Sequence, residues 1–197
     1  MQLEGYAAPL SLRQRLANYI VIAVALLAVG YGFIYRENIL SATFPFVNRE
    51  AGITARYPAR WLLEEGGARF VLRAQDPAAL PFKTTIQLQL IPIGSGARPA
   101  DILDLLDIDR AARLPAYRSL SRTPTVLPGG QRGQQMIYAY AYIDPNPFLQ
   151  AEPITVRALD LVVLRTGQAV VITYEAKADV FEKHKHYFEA FLRSLTF

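Results

Sequence analysis

Residues 16–35 (LANYIVIAVALLAVGYGFIY) carry no charge, and Asn18 is the only strongly polar side chain among them. At 1.5 Å of rise per residue this run makes about 30 Å of helix, the thickness of bilayer hydrocarbon. A core helix of a soluble protein would show a polar stripe. Here Ile20, Val21, Ile22, Val24, Leu26, Leu27, Val29, Phe33 and Ile34 point in every direction. The stretch is predicted to cross a membrane once, so everything after it is presented at a membrane surface.

Residues 1–15 form a tail whose Arg13 and Arg15 abut the apolar run, like the basic region of a signal sequence. A cleaved signal peptide is one reading and an uncleaved signal anchor the other. The length of the apolar run and the lack of a small-x-small pattern in the following RENILSATFPFVNRE favour the anchor. Arg13 and Arg15 with the terminal amine, set against Arg36 and Arg49, orient the N-terminus to the cytoplasm and the remainder to the periplasmic or extracytoplasmic side. Tyr19, Tyr31 and Tyr35 fall near the ends, where aromatic rings suit the interface. Ala28 and Gly32 form a small-xxx-small pair on which a second helix could pack closely, unless they merely reflect how common such residues are in membrane helices.

Several function classes are disfavoured. The formal net charge is +4, but the basic residues beyond the anchor are scattered singly among acids, unlike a nucleic-acid groove. Cysteine is absent, which removes disulfides, thiol nucleophiles and thiolate-held clusters. The two histidines, His184 and His186, are about 200° apart around a helix and cannot share an ion; Glu182 with His186 could, but two ligands are too few. No nucleophile elbow occurs, and Gly129-Gly130-Gln131-Arg132-Gly133 lacks the features of a phosphate loop and reads as a hairpin. No catalytic constellation is found, so a non-enzymatic protein without a cofactor is expected.

Residues 36–52 read as a stalk, in which Phe44, Phe46 and Val47 are apolar enough to lie against a partner or to pack against the chain's own domain. Residues 53–197 read as one domain. Strands are predicted over 53–57, 68–73, 84–91, 134–143, 155–165 and 168–175, with turns at Pro58 to Trp61, Gly66-Gly67 and Thr166-Gly167. Ile86, Leu88 and Leu90 alternate with Thr85, Gln87 and Gln89, one dry face and one wet. Residues 99–114 form a helix with Ile102, Leu105, Leu106 and Ile108 as its buried positions, while Asp101, Asp104, Asp107 and Asp109 read as a solvated face rather than a calcium site. The proline-rich loop 144–153 offers Phe148 and Leu149 as a docking tip. A closing helix over 179–194, capped by Asp179 and Glu182, would pack Phe181, His184, Phe188, Phe191 and Leu192 on the sheet. Tyr138, Tyr140 and Tyr142 form a ladder that would either receive a ligand or pack beneath a helix.

This order of elements resembles the PsbP-like family and the related Mog-type fold of Ran-binding proteins. The resemblance covers roughly residues 50–197 and rests on four pieces. They are Arg56-Tyr57-Pro58-Ala59-Arg60-Trp61, the Ile86 to Pro92 strand, the Ala169 to Tyr174 strand followed by Phe181, and the closing Phe191-Leu192-Arg193-Ser194-Leu195-Thr196-Phe197. It implies an α+β fold, an antiparallel β-sheet flanked by α-helices, here following a single transmembrane helix. Members are mostly accessory subunits docked on membrane electron-transfer complexes. This chain departs from them in carrying its own anchor and in lacking their manganese- or calcium-related ligands.

The expected function is that of a non-catalytic accessory or scaffold subunit of a membrane protein complex, respiratory or photosynthetic. Its partners would be integral membrane subunits and the lipid bilayer, with no nucleic acid. Contacts would run through Ala28 and Gly32 in the membrane and Phe44, Phe46, Val47, Phe148 and Leu149 outside it. The alternative is a membrane-tethered binding module for a small apolar or lipid ligand held against the tyrosine ladder.

Overall fold

A computed structural model of the chain describes residues 12–40, 42–67, 69–144, 146 and 152–197. The chain divides after Ala42 into two compact units.

The described residues of the first unit form one helix, α1 (Leu12–Leu40). Its stretch Arg15–Phe33, 19 residues, is long and apolar enough to cross a membrane, and none of it is buried among the described residues. The helix outruns the predicted 16–35 span because residues 36–40 contain neither glycine nor proline and simply continue it.

The second unit, Thr43–Phe197, is α+β. Strands β1 (Thr43–Asn48) and β2 (Ile53–Pro58) form an antiparallel hairpin. Seven further strands follow: β3 (Leu62–Gly67), β4 (Phe70–Gln75), β5 (Thr85–Pro92), β6 (Arg118–Val126), β7 (Arg132–Tyr142), β8 (Ile154–Arg165) and β9 (Gln168–Lys177). They make one sheet in the order β3-β4-β5-β9-β8-β7-β6, antiparallel throughout. Helix α2 (Pro99–Arg113) lies between β5 and β6 in sequence, and α3 (Phe181–Ser194) follows β9.

Alternation along the strands separates two cores. Leu72, Ile86, Leu88, Ile172 and Tyr174 face α3, where Phe181, Phe188 and Phe191 meet them together with Phe46, Ile53 and Trp61. Each such buried side chain contributes about 1.5–3 kcal/mol relative to exposure. On the opposite face Met136, Tyr138, Val156, Ala158, Val162 and Val171 receive Ile102, Leu103 and Leu106 of α2. The carboxyl end is tied in by a bridge: Thr54 N–H donates to the Thr196 carbonyl at 3.0 Å, and Thr196 N–H returns to Thr54 at 2.8 Å.

Several expectations require correction. Residues 36–52 are not a stalk: 36–40 belong to α1 and 43–48 are β1, which pairs with β2 because Phe46 turns inward onto Ile53 and Ala55. The domain therefore begins at Thr43 rather than at residue 53. Gly66 and Gly67 close β3 itself, an exposed edge strand that no apolar alternation announces. Strand β6 was likewise not expected; nearly every residue is exposed, and Pro124 is tolerated because the strand lies at the edge. On α2 the buried residues are Ile102, Leu103 and Leu106, while Leu105 and Ile108 are exposed. Helix α3 starts at Phe181 with Val180 as its N-cap. Asp179 instead binds Lys177 at 2.7 Å, and Glu182 binds Arg157 at 3.0 Å.

Candidate binding groove

Because Leu72, Ala74, Ile86, Leu88, Ile172 and Tyr174 turn toward α3, strand alternation sends Arg73, Gln75, Thr85, Gln87, Gln89, Thr173 and Glu175 to the opposite face. Helix α2 packs on β7 and β8, which leaves the part of this face over β4 and β5 polar and open. A hollow of about 510 Å³ lies there, walled by Arg69, Arg73, Gln87 and Gln89 on the sheet side and by Leu105 and Arg113 on the helix side. A second, of about 450 Å³, shares Arg73, Gln87 and Glu175 with the first and extends to Phe82, Lys83 and Tyr142.

Hydrogen bonds and ring contacts hold the groove's polar groups in place. Arg73 donates from Nε to Gln87 Oε1 at 3.0 Å and from Nη1 to Glu64 Oε2 at 3.3 Å, and its guanidinium lies 4.1 Å over the Phe70 ring. The Tyr140 hydroxyl donates to Glu175 Oε1 at 3.3 Å. Burial pushes the Glu175 carboxyl above its ordinary range, an effect Arg110 opposes. Arg110, at the inner end of α2, reaches Asp160 at 3.3 Å, and the Thr173 hydroxyl donates to the same carboxylate at 2.6 Å.

The acidic row on α2 is absorbed by arginines. Asp101 pairs with Arg98 at 2.8 Å, Asp107 with Arg122 of β6 at 2.7 Å, Asp104 also with Arg122, and Asp109 with Arg113. The tyrosine ladder packs beneath a helix: Tyr138 and Tyr140 are buried in the α2 core, and only Tyr142 reaches the groove.

Of the predicted contact residues, Ala28 and Gly32 both lie exposed on α1, with open space around Gly32. Phe44 and Val47 are exposed on β1, with the Phe44 ring edge-on to Tyr57 at 6.3 Å. Phe46 is not available for docking, because at 2% exposure it belongs to the core. Phe148 and Leu149 lie outside the described residues. The groove arginines were not anticipated from sequence; Gln87 and Gln89, half-buried on the polar side of β5, were the groove's sequence signal, whereas Thr85, expected on the same wet face, is buried.

No protein-family model matches the chain, and no curated protein matches it. Solved structures do. Cyanobacterial PsbP (CyanoP) from Synechocystis aligns over 79% of this chain and 92% of its own, at 12% identity and a TM-score of 0.59. LpqN of Mycobacterium tuberculosis, involved in cell envelope biogenesis, covers 79% and 90%, at 18% identity and a TM-score of 0.54. The Saccharomyces cerevisiae Ran-binding protein Mog1p covers 79% and 95%, at 10% identity and a TM-score of 0.52. The chain therefore carries the PsbP-like, Mog1-type fold, an antiparallel sheet flanked by helices, behind an apolar helix that is a candidate membrane anchor.

Proposed function

We propose that this chain is a single-pass, non-catalytic accessory subunit of a membrane electron-transfer complex, with its PsbP-like domain docked on the extracytoplasmic face. The observation that carries this reading is α1. This apolar stretch of 19 residues is exposed among the described residues and would be covered by lipid or by other helices. The small residues Ala28 and Gly32 suit close approach by another helix, and Arg13 and Arg15 at the start of the span favour a cytoplasmic N-terminus. Phe44 and Val47, exposed on the first strand of the domain, supply an apolar contact outside the bilayer. Similar folds serve different roles, so fold likeness contributes analogy only.

The test is extraction from native membranes in a mild detergent, followed by size analysis and mass spectrometry of what travels with the chain. Co-migration with polytopic redox subunits in fixed stoichiometry is the expected result. A monomer or homodimer running alone would overturn the reading.

A further inference from the structure

We propose that the groove over β4, β5 and β9 receives an extended acidic segment of a partner protein, with its carboxylates on Arg69 and Arg73 and its apolar side chains on the α2 wall. The identification of that partner as a subunit of the same complex rests on the accessory reading above.

Unspent donors are the first support. A guanidinium offers five N–H groups, and Arg73 commits only one at Nε and one at Nη1, to Gln87 and Glu64. Those two bonds and the Phe70 ring beneath fix its plane, so a carboxylate meets a preorganised fork. Arg69 and Lys83 hold no side-chain hydrogen bond or ion pair among the described residues, and each lines a different one of the two hollows.

Shape and spacing are the second. Two hollows of about 510 Å³ and about 450 Å³ share three lining residues and so lie side by side, a trough larger than one inorganic anion needs. Gln87 and Gln89 stand two residues apart along β5, about 6.6 Å, the same repeat as side chains on one face of an extended peptide. Each glutamine amide can both donate to and accept from a peptide backbone. Leu105, exposed although apolar, forms with Ile91 and Ile102 a wall for apolar side chains.

The remaining charges narrow the choice. Asp109, Asp144 and Glu175 also line the trough and would repel a dense phosphate backbone, whereas a peptide places its carboxylates singly. A lipid chain would leave these polar walls without partners.

The probe is a fluorescein-labelled octapeptide of alternating Glu and Leu, with its Gln-Leu counterpart, titrated into the full chain in a neutral detergent and followed by anisotropy. Saturable binding of the acidic peptide, weakened about tenfold by Arg69→Glu and by raised salt, is expected. Arg69 is exposed and unbonded, so this variant keeps the fold. Leu105→Asp, also at an exposed position, should weaken binding independently. Equal binding of the Gln-Leu peptide, or binding untouched by Arg69→Glu, would show micelle partition or a different site and overturn the inference. A chain that purifies alone yet binds the acidic peptide through Arg69 would uphold the groove and overturn the accessory reading. Co-purification with partners but no peptide binding would do the reverse.

Discussion

Asp160 and Arg110 form an ion pair enclosed between the sheet and α2, with Oδ2 3.3 Å from Nε, the carboxylate wholly buried and the guanidinium side chain 13% exposed. Thr173 adds a hydroxyl donor to the same carboxylate at 2.6 Å. Removing one partner strands a charge in low dielectric, so Arg110→Leu is expected to destabilise the domain by about 3–5 kcal/mol. The double variant Arg110→Leu/Asp160→Val should recover most of that loss, since a packed apolar replacement can equal a buried pair. Chemical denaturation of the four chains in a double-mutant cycle measures this; a double variant as unstable as Arg110→Leu alone would contradict it.

Tyr138 makes the opposite prediction. Its ring is buried beside Tyr117, 5.4 Å between centroids, but its hydroxyl has no hydrogen-bond partner among the described residues. Burial drives the phenol far above its ordinary range, so the hydroxyl stays protonated and its desolvation is uncompensated. Tyr138→Phe removes the cost and keeps the ring. A gain of about 1–3 kcal/mol in unfolding free energy is expected, and a loss would mean that the hydroxyl has a partner.

His184 should give the domain a stability that falls toward acid. Its Nδ1 lies 3.1 Å from the Thr84 hydroxyl, and burial lowers its affinity for a proton, with Lys183 and His186 adding to that and Asp76 opposing it. The unfolded chain takes up the proton near the ordinary value of 6.5 while the folded chain does so only at lower pH. Stability is therefore complete above 6.5 and is lost as pH drops from there toward the folded value. Glu175 acts with the reverse sign, since its raised carboxyl pKa favours the folded state at lower pH. Comparison with His184→Gln isolates the histidine: melting midpoints between pH 7.5 and 5.5 should fall more steeply for the native chain. Parallel curves would refute the assignment.

Legibility in the sequence followed locality. Helix α1, the dry side of β5 at Ile86 and Leu88, the Thr166-Gly167 hairpin between β8 and β9, and the aromatic face of α3 are periodic patterns complete within one segment. Strands β3 and β6 carry no such pattern, because an edge strand exposed along most of its length takes its register from β4 or β7 rather than from its own residues. The phase of α2 was set at a distance too. Arg110 must reach Asp160 on β8, and that rotation buries Leu103 and leaves Leu105 and Ile108 outside. The groove could not be read for the same reason. Arg69, Arg73, Gln87 and Arg113 come together only through the sheet order and the seat of α2.

Gly32 supplies a test of the membrane contact that leaves the chain's own folding aside. Nothing lies within 4 Å of the position a Cβ would take there, and Ala28 sits one turn earlier on the helix. Gly32→Leu therefore meets no clash at its Cβ among the described residues, and leucine is at least as favourable as glycine in a spanning helix. A neighbouring helix packed against the Ala28/Gly32 surface would be pushed away by the added side chain. The variant is expected to reach the membrane at the native level but to lose its partner subunits several-fold in mild-detergent extracts. Val29→Leu, a change of one methylene that leaves Ala28 and Gly32 intact, should keep them. Full recovery of the partners with Gly32→Leu would remove this surface from the assembly and leave the domain contacts to carry it.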